Sequence, residues 1–218
     1  MNSKTIKERV IELGADLCGV ASHERFAETP KGFSPLNIVE NGGSFIVFAK
    51  RMPEELLFEE SHNRYYQINN QITREVDEIA MLCASELTKK GIKSVPILFD
   101  SSGNPGSNFS LKYAAYLAGL GVIGKNTLLL NKNFGNMINI GAVVVDLELE
   151  SDLLADYQGC PNECNLCVQA CPRQALDGKK VNSSRCKPVI EYKSESGVFL
   201  KKCSICRRVC PCSFGIKD

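Results

Sequence analysis

Nine of the eleven cysteines lie between Cys160 and Cys212, and their spacing offers chemistry before any fold is considered. One group reads Cys160-x3-Cys164-x2-Cys167-x3-Cys171-Pro172. The other has Cys186, then Cys203-x2-Cys206-x3-Cys210-Pro211. Three chemistries use thiols so arranged. A disulfide scaffold needs an oxidising compartment, and the opening residues Met1 to Arg9 lack the apolar stretch of an export signal. Zinc takes CxxC pairs that close a tetrahedral site. Iron–sulfur clusters take three closely spaced thiolates and a distant fourth, usually followed by proline. Two CxxCxxxCP runs favour the third chemistry, as two [4Fe–4S] clusters.

Where one chain holds two such clusters, the fourth Cys of a run ligates the other cluster. That rule gives Cys160, Cys164, Cys167 and Cys210 to one cluster, and Cys171, Cys186, Cys203 and Cys206 to the second. The first gap is three residues where two is usual, and sixteen residues separate Cys186 from Cys203, so the second run holds an insertion. Cys212 is left over. It competes with Cys210, which has the expected spacing and the following proline. Cys18 and Cys83 stand apart in apolar surroundings and read as small buried hydrophobes.

These thiols need a scaffold, and the composition is that of a globular one. The chain has 218 residues, 44% hydrophobic and 23% charged, with a net charge of +1. That size suits one large domain or two small ones. The charge balance argues for neither a nucleic-acid nor a polycation partner. No apolar run approaches the roughly 18 residues of a membrane span, so the reading is a soluble, cytoplasmic protein with no membrane partner. Residues 1–150 carry 15 basic against 18 acidic side chains, net −3, and residues 151–218 carry 11 against 7, net +4. Charge and cysteine density both shift near residue 151, so the expected domains are 1–150 and 151–218. The basic pairs Lys179-Lys180, Lys201-Lys202 and Arg207-Arg208 read as a solvated face, or as a dock for an acidic electron donor or a phosphate backbone.

Helices are expected at 3–13, capped by Ser3, at 62–90, where Ile68, Ile72, Val76, Ile79 and Leu87 recur at helical spacing, and at 110–118. Strands are expected at 16–21, 45–49, 95–99 and 137–147, with Pro96 restricting its strand to an edge or an end. Residues 28–43 and 101–108 read as loops. The alternation gives an α/β or α+β body. Gly119-Leu120-Gly121-Val122-Ile123-Gly124 matches G-x-G-x-x-G, but a helix precedes it where the dinucleotide fingerprint needs a strand. It reads as a helix end needing positive φ, or as a loop that lets backbone approach a flat cofactor.

The stretch from Leu111 to Leu129, containing Ala118-Gly119-Leu120-Gly121-Val122-Ile123-Gly124-Lys125-Asn126-Thr127-Leu128-Leu129, resembles the epoxyqueuosine reductase family. That family carries an AGLGxxGKNTLL segment upstream of a two-cluster ferredoxin module. Cys164-x2-Cys167-x3-Cys171-Pro172-x2-Ala175-Leu176 resembles its first cluster motif, and Arg185-Cys186 with Cys203-x2-Cys206-x3-Cys210-Pro211 resembles its second. Gly14-Ala15-Asp16 with Gly19-Val20-Ala21 resembles its start. The resemblance implies a nitroreductase-like α/β domain followed by a ferredoxin-like domain, an architecture shared with reductive dehalogenases. It implies a cobalamin fed with electrons by the clusters, and a side chain that supplies a proton. Phe99-Asp100-Ser101 resembles the family's acid site, so Asp100 is the catalytic candidate. As a residue, Asp100 also reads as a turn former at a strand end. Tyr65, Tyr66, Tyr113 and Tyr116 are alternative donors, and neither His23 nor His62 is expected as a cobalt ligand. By the same resemblance Gly119, Gly121, Gly124, Lys125 and Asn126 are cofactor-binding candidates.

The expected partners are an electron-donor protein of ferredoxin or flavodoxin type and a small-molecule substrate. Longer family members continue into helical repeats tied to tRNA binding, whereas this chain stops at Asp218, so tRNA is not the expected substrate. The alternative is a ferredoxin-type electron-transfer protein with no substrate or corrinoid of its own. FMN rests on fold analogy alone and is the weakest cofactor reading. Nothing in the sequence bears on oligomeric state.

Overall fold

The computed structural model describes residues 1–27, 43–59, 62–98, 110–193, 199–201 and 203–216. Asp100, the polar loop 101–108 and nearly all of the Gly/Pro-rich stretch 28–43 lie outside them. In chain order the helices are α1 Ser3–Glu12, α2 His62–Lys89, α3 Leu111–Leu117, α4 Leu166–Gln169, α5 Ser183–Ile190 and α6 Ile205–Arg208. The strands are β1 Leu17–Ser22, β2 Ser44–Arg51, β3 Ser94–Ile97, β4 Val122–Ile123, β5 Leu129–Leu130, β6 Ile138–Val145, β7 Glu191–Lys193 and β8 Phe199–Lys201. The chain forms two compact units, each assembled from segments far apart in sequence.

The first unit takes residues 1–50, 73–121 and 139–156. Its four-stranded sheet has the order β1-β2-β6-β3, with β1–β2 and β3–β6 antiparallel. The central strands are the unbroken apolar runs of the sequence, and Phe45–Ala49 and Ala142–Val145 are all 2% exposed or less. β3 is an edge strand, which is where Pro96 can sit without costing a ladder hydrogen bond. Ile6 and Val10 of α1 and Val76, Ile79, Ala80, Cys83 and Leu87 of α2 pack on Val20, Ile46, Phe48, Val143 and Val145. Their three- and four-residue spacing places them on one helix face. Burial raises the thiol pKa of Cys18, and that of Cys83 to about 11, so both stay protonated and act as apolar filler.

The cap of α1 differs from expectation. Asn2, not Ser3, is the N-cap, and its Oδ1 accepts from the Thr5 N–H at 2.9 Å. Ser3 is already helical and donates its hydroxyl to the Glu150 carbonyl at 2.9 Å. Further along, Asp152 N–H donates to the Val20 carbonyl at 2.9 Å, while Asp152 Oδ2 accepts from Val20 N–H at 2.8 Å. Lys7 pairs with the same carboxylate at 2.5 Å. Residues 151–153 are thereby laid along the outer edge of β1. Gly119, at φ +75°, turns the chain out of α3, and a Cβ there would fall 2.1 Å from the Leu153 carbonyl oxygen. The G-x-G-x-x-G stretch therefore follows a helix and contains the short β4, without the strand–turn–helix context of a nucleotide loop.

The second unit takes residues 51–72, 122–138 and 157–218. Met52, Leu56, Leu57, Ile72 and Met137 form its apolar centre, with Tyr65, Ile68 and Phe214 against them. β4 and β5 pair as a hairpin, Val122 opposite Leu130. α5 carries Cys186, and β7 and β8, which pair antiparallel, lie in the sequence between it and Cys203. The stretched spacing of the second cysteine run thus holds a pair of strands.

Candidate iron–sulfur centre

The two CxxCxxxCP runs fold alike. In the first, Asn165 follows Cys164 and precedes α4, which carries Cys167 and ends at Ala170. In the second, Ser204 follows Cys203 and precedes α6, which carries Cys206 and ends at Val209. Asn165 has φ −130° and ψ 17°, and Ser204 has φ −127° and ψ 16°. The spacing of two, then three residues between thiols is therefore one helical turn, built twice. α4 and α6 pack against each other.

The thiols group across the two runs. Burial is the largest cause that raises Cys210, to about 12, opposed by the backbone N–H of Cys212. The thiols that raise it further are Cys212, Cys160 and Cys167, the last two from the first run. Burial likewise raises Cys206 to about 11, opposed by the Arg207 cation, and its thiol neighbours are Cys203, Cys186 and Cys167. Burial also raises Cys167, with Cys160 and Cys164 as neighbours. Cys212 is 7% exposed and has Cys160 and Cys164 as its neighbours. Iron must therefore displace protons from thiols that hold them at neutral pH. Among the described residues no three His, Cys, Asp or Glu side chains converge on a point suited to one metal ion.

Main-chain donors already point at the sulfurs. Lys125 N–H donates to Cys160 Sγ at 3.3 Å, and Ala175 N–H donates to Cys171 Sγ at 3.2 Å. One belongs to each expected ligand set. Glu163, Gln174 and Thr127 adopt φ of +58°, +48° and +60°, the three non-glycine residues in the left-handed region among those described. Each lies beside a cysteine loop or the Lys125 turn, and such backbone persists where the surroundings over-determine it. Gly135, at φ +55°, lies so close to the Cys212 and Ser213 carbonyl oxygens that a Cβ would fall within 2.0 and 2.3 Å of them.

Sequence reasoning missed Asn136, and it read Arg207 as part of a solvated basic pair, whereas the guanidinium is buried. Arg207 donates to the Asn136 carbonyl, and burial lowers its pKa, though a guanidinium stays charged. The Asn136 side chain is 1% exposed, and neither its Nδ2 nor its Oδ1 has a hydrogen-bond partner among the described residues. Leaving such a group unpaired costs about 1–3 kcal/mol. Next to the cysteine segments, it fits a bound polar or sulfide-bearing group. Neither residue carries a motif, because both act through burial and main-chain contacts.

The remaining candidates are scattered. Asp100 lies outside the described residues, and so does the His62 side chain. His23 sits in a 3-10 turn of the first unit. Tyr113 and Tyr116 have ring centroids 5.8 Å apart in the first unit, and Tyr65 lines the apolar centre of the second. Gly119 and Gly121 belong to the first unit, whereas Gly124, Lys125 and Asn126 belong to the second.

No protein-family model matches the chain. The epoxyqueuosine reductase of Lactococcus garvieae is 38% identical over 111 residues, which is 46% of this chain and 31% of that protein. That of Cyclobacterium marinum is 29% identical over 244 aligned positions, covering 96% of this chain and 78% of that protein. The matched region thus spans under a third of the first relative and about four fifths of the second. Among solved structures, an epoxyqueuosine reductase with an epoxyqueuosine-modified tRNA stem loop has a TM-score of 0.68 at 17% identity, over 98% of this chain and 66% of that one. A reductive dehalogenase, described with a mechanism for B12-dependent dehalogenation, has a TM-score of 0.72 at 21% identity, over 95% and 31%. The mixed α/β fold with an antiparallel sheet is the one these proteins share. The expectation against tRNA gains no support here, since a relative by fold was solved with a tRNA stem loop.

Proposed function

We propose that this chain, similar in sequence to epoxyqueuosine reductases and in fold to them and to reductive dehalogenases, is an iron–sulfur oxidoreductase carrying two [4Fe–4S] clusters. The observation that carries the reading is the nearness of Cys210, from the second run, to Cys160 and Cys167 of the first, while Cys206 has Cys203 and Cys186 of its own run and Cys167 as neighbours. One cluster takes Cys160, Cys164, Cys167 and Cys210, and the other takes Cys171, Cys186, Cys203 and Cys206. When bound, the clusters would supply single electrons. The chain's part is to hold and bury them: Lys125 and Ala175 N–H groups face two ligand sulfurs, Arg207 sets a cation beside Cys206 and Cys210, and Asn136 offers an amide to what is bound.

Electrons arrive from a donor of ferredoxin or flavodoxin type, and the first unit, residues 1–50, 73–121 and 139–156, serves as the nitroreductase-like catalytic body. A corrinoid is the proposed acceptor by family resemblance. Gly119 does not make an open cradle for it, since the Leu153 carbonyl fills the space beside its Cα. Asp100 is the proposed acid. Candidate substrates are an epoxyqueuosine-bearing tRNA stem loop, as in the relative by fold, and a small halogenated compound. The test is to load the protein anaerobically, reduce it, add cobalamin, and offer each substrate. Corrinoid uptake with reduction of either substrate is expected. Loaded clusters with no uptake and no turnover would leave an electron carrier.

A further inference from the structure

Lys125 and Asn126 were singled out for a cofactor of the catalytic body, yet their contacts lie with the cysteine loops. Thr127 N–H donates to the Gly124 carbonyl at 2.8 Å, and Gly124 N–H donates to the Leu128 carbonyl at 2.9 Å, so residues 124–128 form a closed turn. Asn126 is 3% exposed. Its Oδ1 accepts from Leu128 N–H at 3.0 Å, and its Nδ2 donates to the Cys206 carbonyl at 3.3 Å. Lys125 reaches the other run. Its N–H donates to Cys160 Sγ at 3.3 Å, and its Nζ donates to the Cys164 carbonyl at 2.9 Å and Asn165 Oδ1 at 3.4 Å. One turn thus touches both cysteine runs.

Both acceptors of the Lys125 ammonium are neutral oxygens, so the charge is not cancelled where it sits. Reduction adds one negative charge to a cluster. A nearby cation and an N–H aimed at a ligand sulfur both stabilise the reduced state and raise its potential. We propose that Lys125 is a positioning residue that sets the reduction potential of the cluster held by Cys160, Cys164 and Cys167. This rests on the two-cluster reading above. The backbone N–H survives substitution, so the side chain isolates the contribution of the charge.

The test is a redox titration of the loaded protein with dithionite and mediators, followed by electron paramagnetic resonance. Lys125→Met should keep the wild-type iron content, move one of the two couples to lower potential and leave the other in place. Lys125→Arg should return that couple towards its wild-type position. Unmoved couples in Lys125→Met, or an Arg variant that behaves like Met, would overturn the proposal. So would loss of iron from Lys125→Met, which would make the residue a structural brace. Wild-type protein without clusters would instead bring down the two-cluster reading itself.

Discussion

Cys210 and Cys212 stand two residues apart, and each faces thiols of the first run. Cys210 keeps the motif spacing and precedes Pro211, while the Cys212 N–H works against the rise that burial gives its thiol. Cys210 is thus the proposed ligand, and Cys212 its neighbour. Cys210→Ala should therefore lose about half of the bound iron, one of two cubanes, and Cys212→Ala should retain it, as measured by iron and acid-labile sulfide analysis. The reverse result would transfer the ligand role to Cys212. The thiols were legible because cluster ligation is local in sequence: a turn of helix sets the two- and three-residue gaps. The Lys125 and Ala175 main-chain donors were not legible, since any residue but proline supplies an N–H. Asn136 shows itself only through the absence of a partner in a buried place.

At the scale of elements, α2 reads almost directly from its apolar spacing, because burial of one face selects every third or fourth residue. Its buried side chains include Ile79, 3% exposed, against the sheet of the first unit. Ile79→Ala should cost about 2–5 kcal/mol in a denaturant melt, and iron content should not change, because the ligands lie in the other unit. Iron lost in proportion to stability would mean that the two units do not fold separately. Element ends were less legible. Asn2 and Ser3 are comparable N-caps by residue type, and the contact of Ser3 with Glu150, 147 residues away, goes with its place inside the helix. The pairing β1-β2-β6-β3 was not legible either, since it depends on which distant strands meet.

At the scale of the whole molecule, the rise in cysteine density near residue 151 locates where the ligands begin. It does not report that 51–72 and 122–138 fold with them, while 139–156 folds with the sheet. Those memberships depend on apolar contacts such as Met52 with Met137, which no local pattern encodes. Structural metal contributes folding free energy to the segments that bind it. Stripping iron with a chelator should thus abolish hydrogen-exchange protection in 122–138 and 157–216, while β2, β6 and the C-terminal half of α2 keep theirs. Equal loss in both units would contradict a separable metal-bearing unit.

The most direct test of the central claim is the iron content and low-temperature spectrum of anaerobically purified protein. The account requires about eight irons per chain with matching sulfide, and on full reduction the broadened resonance of two interacting clusters. About four irons with a single isolated signal, or zinc without labile sulfide, would contradict it.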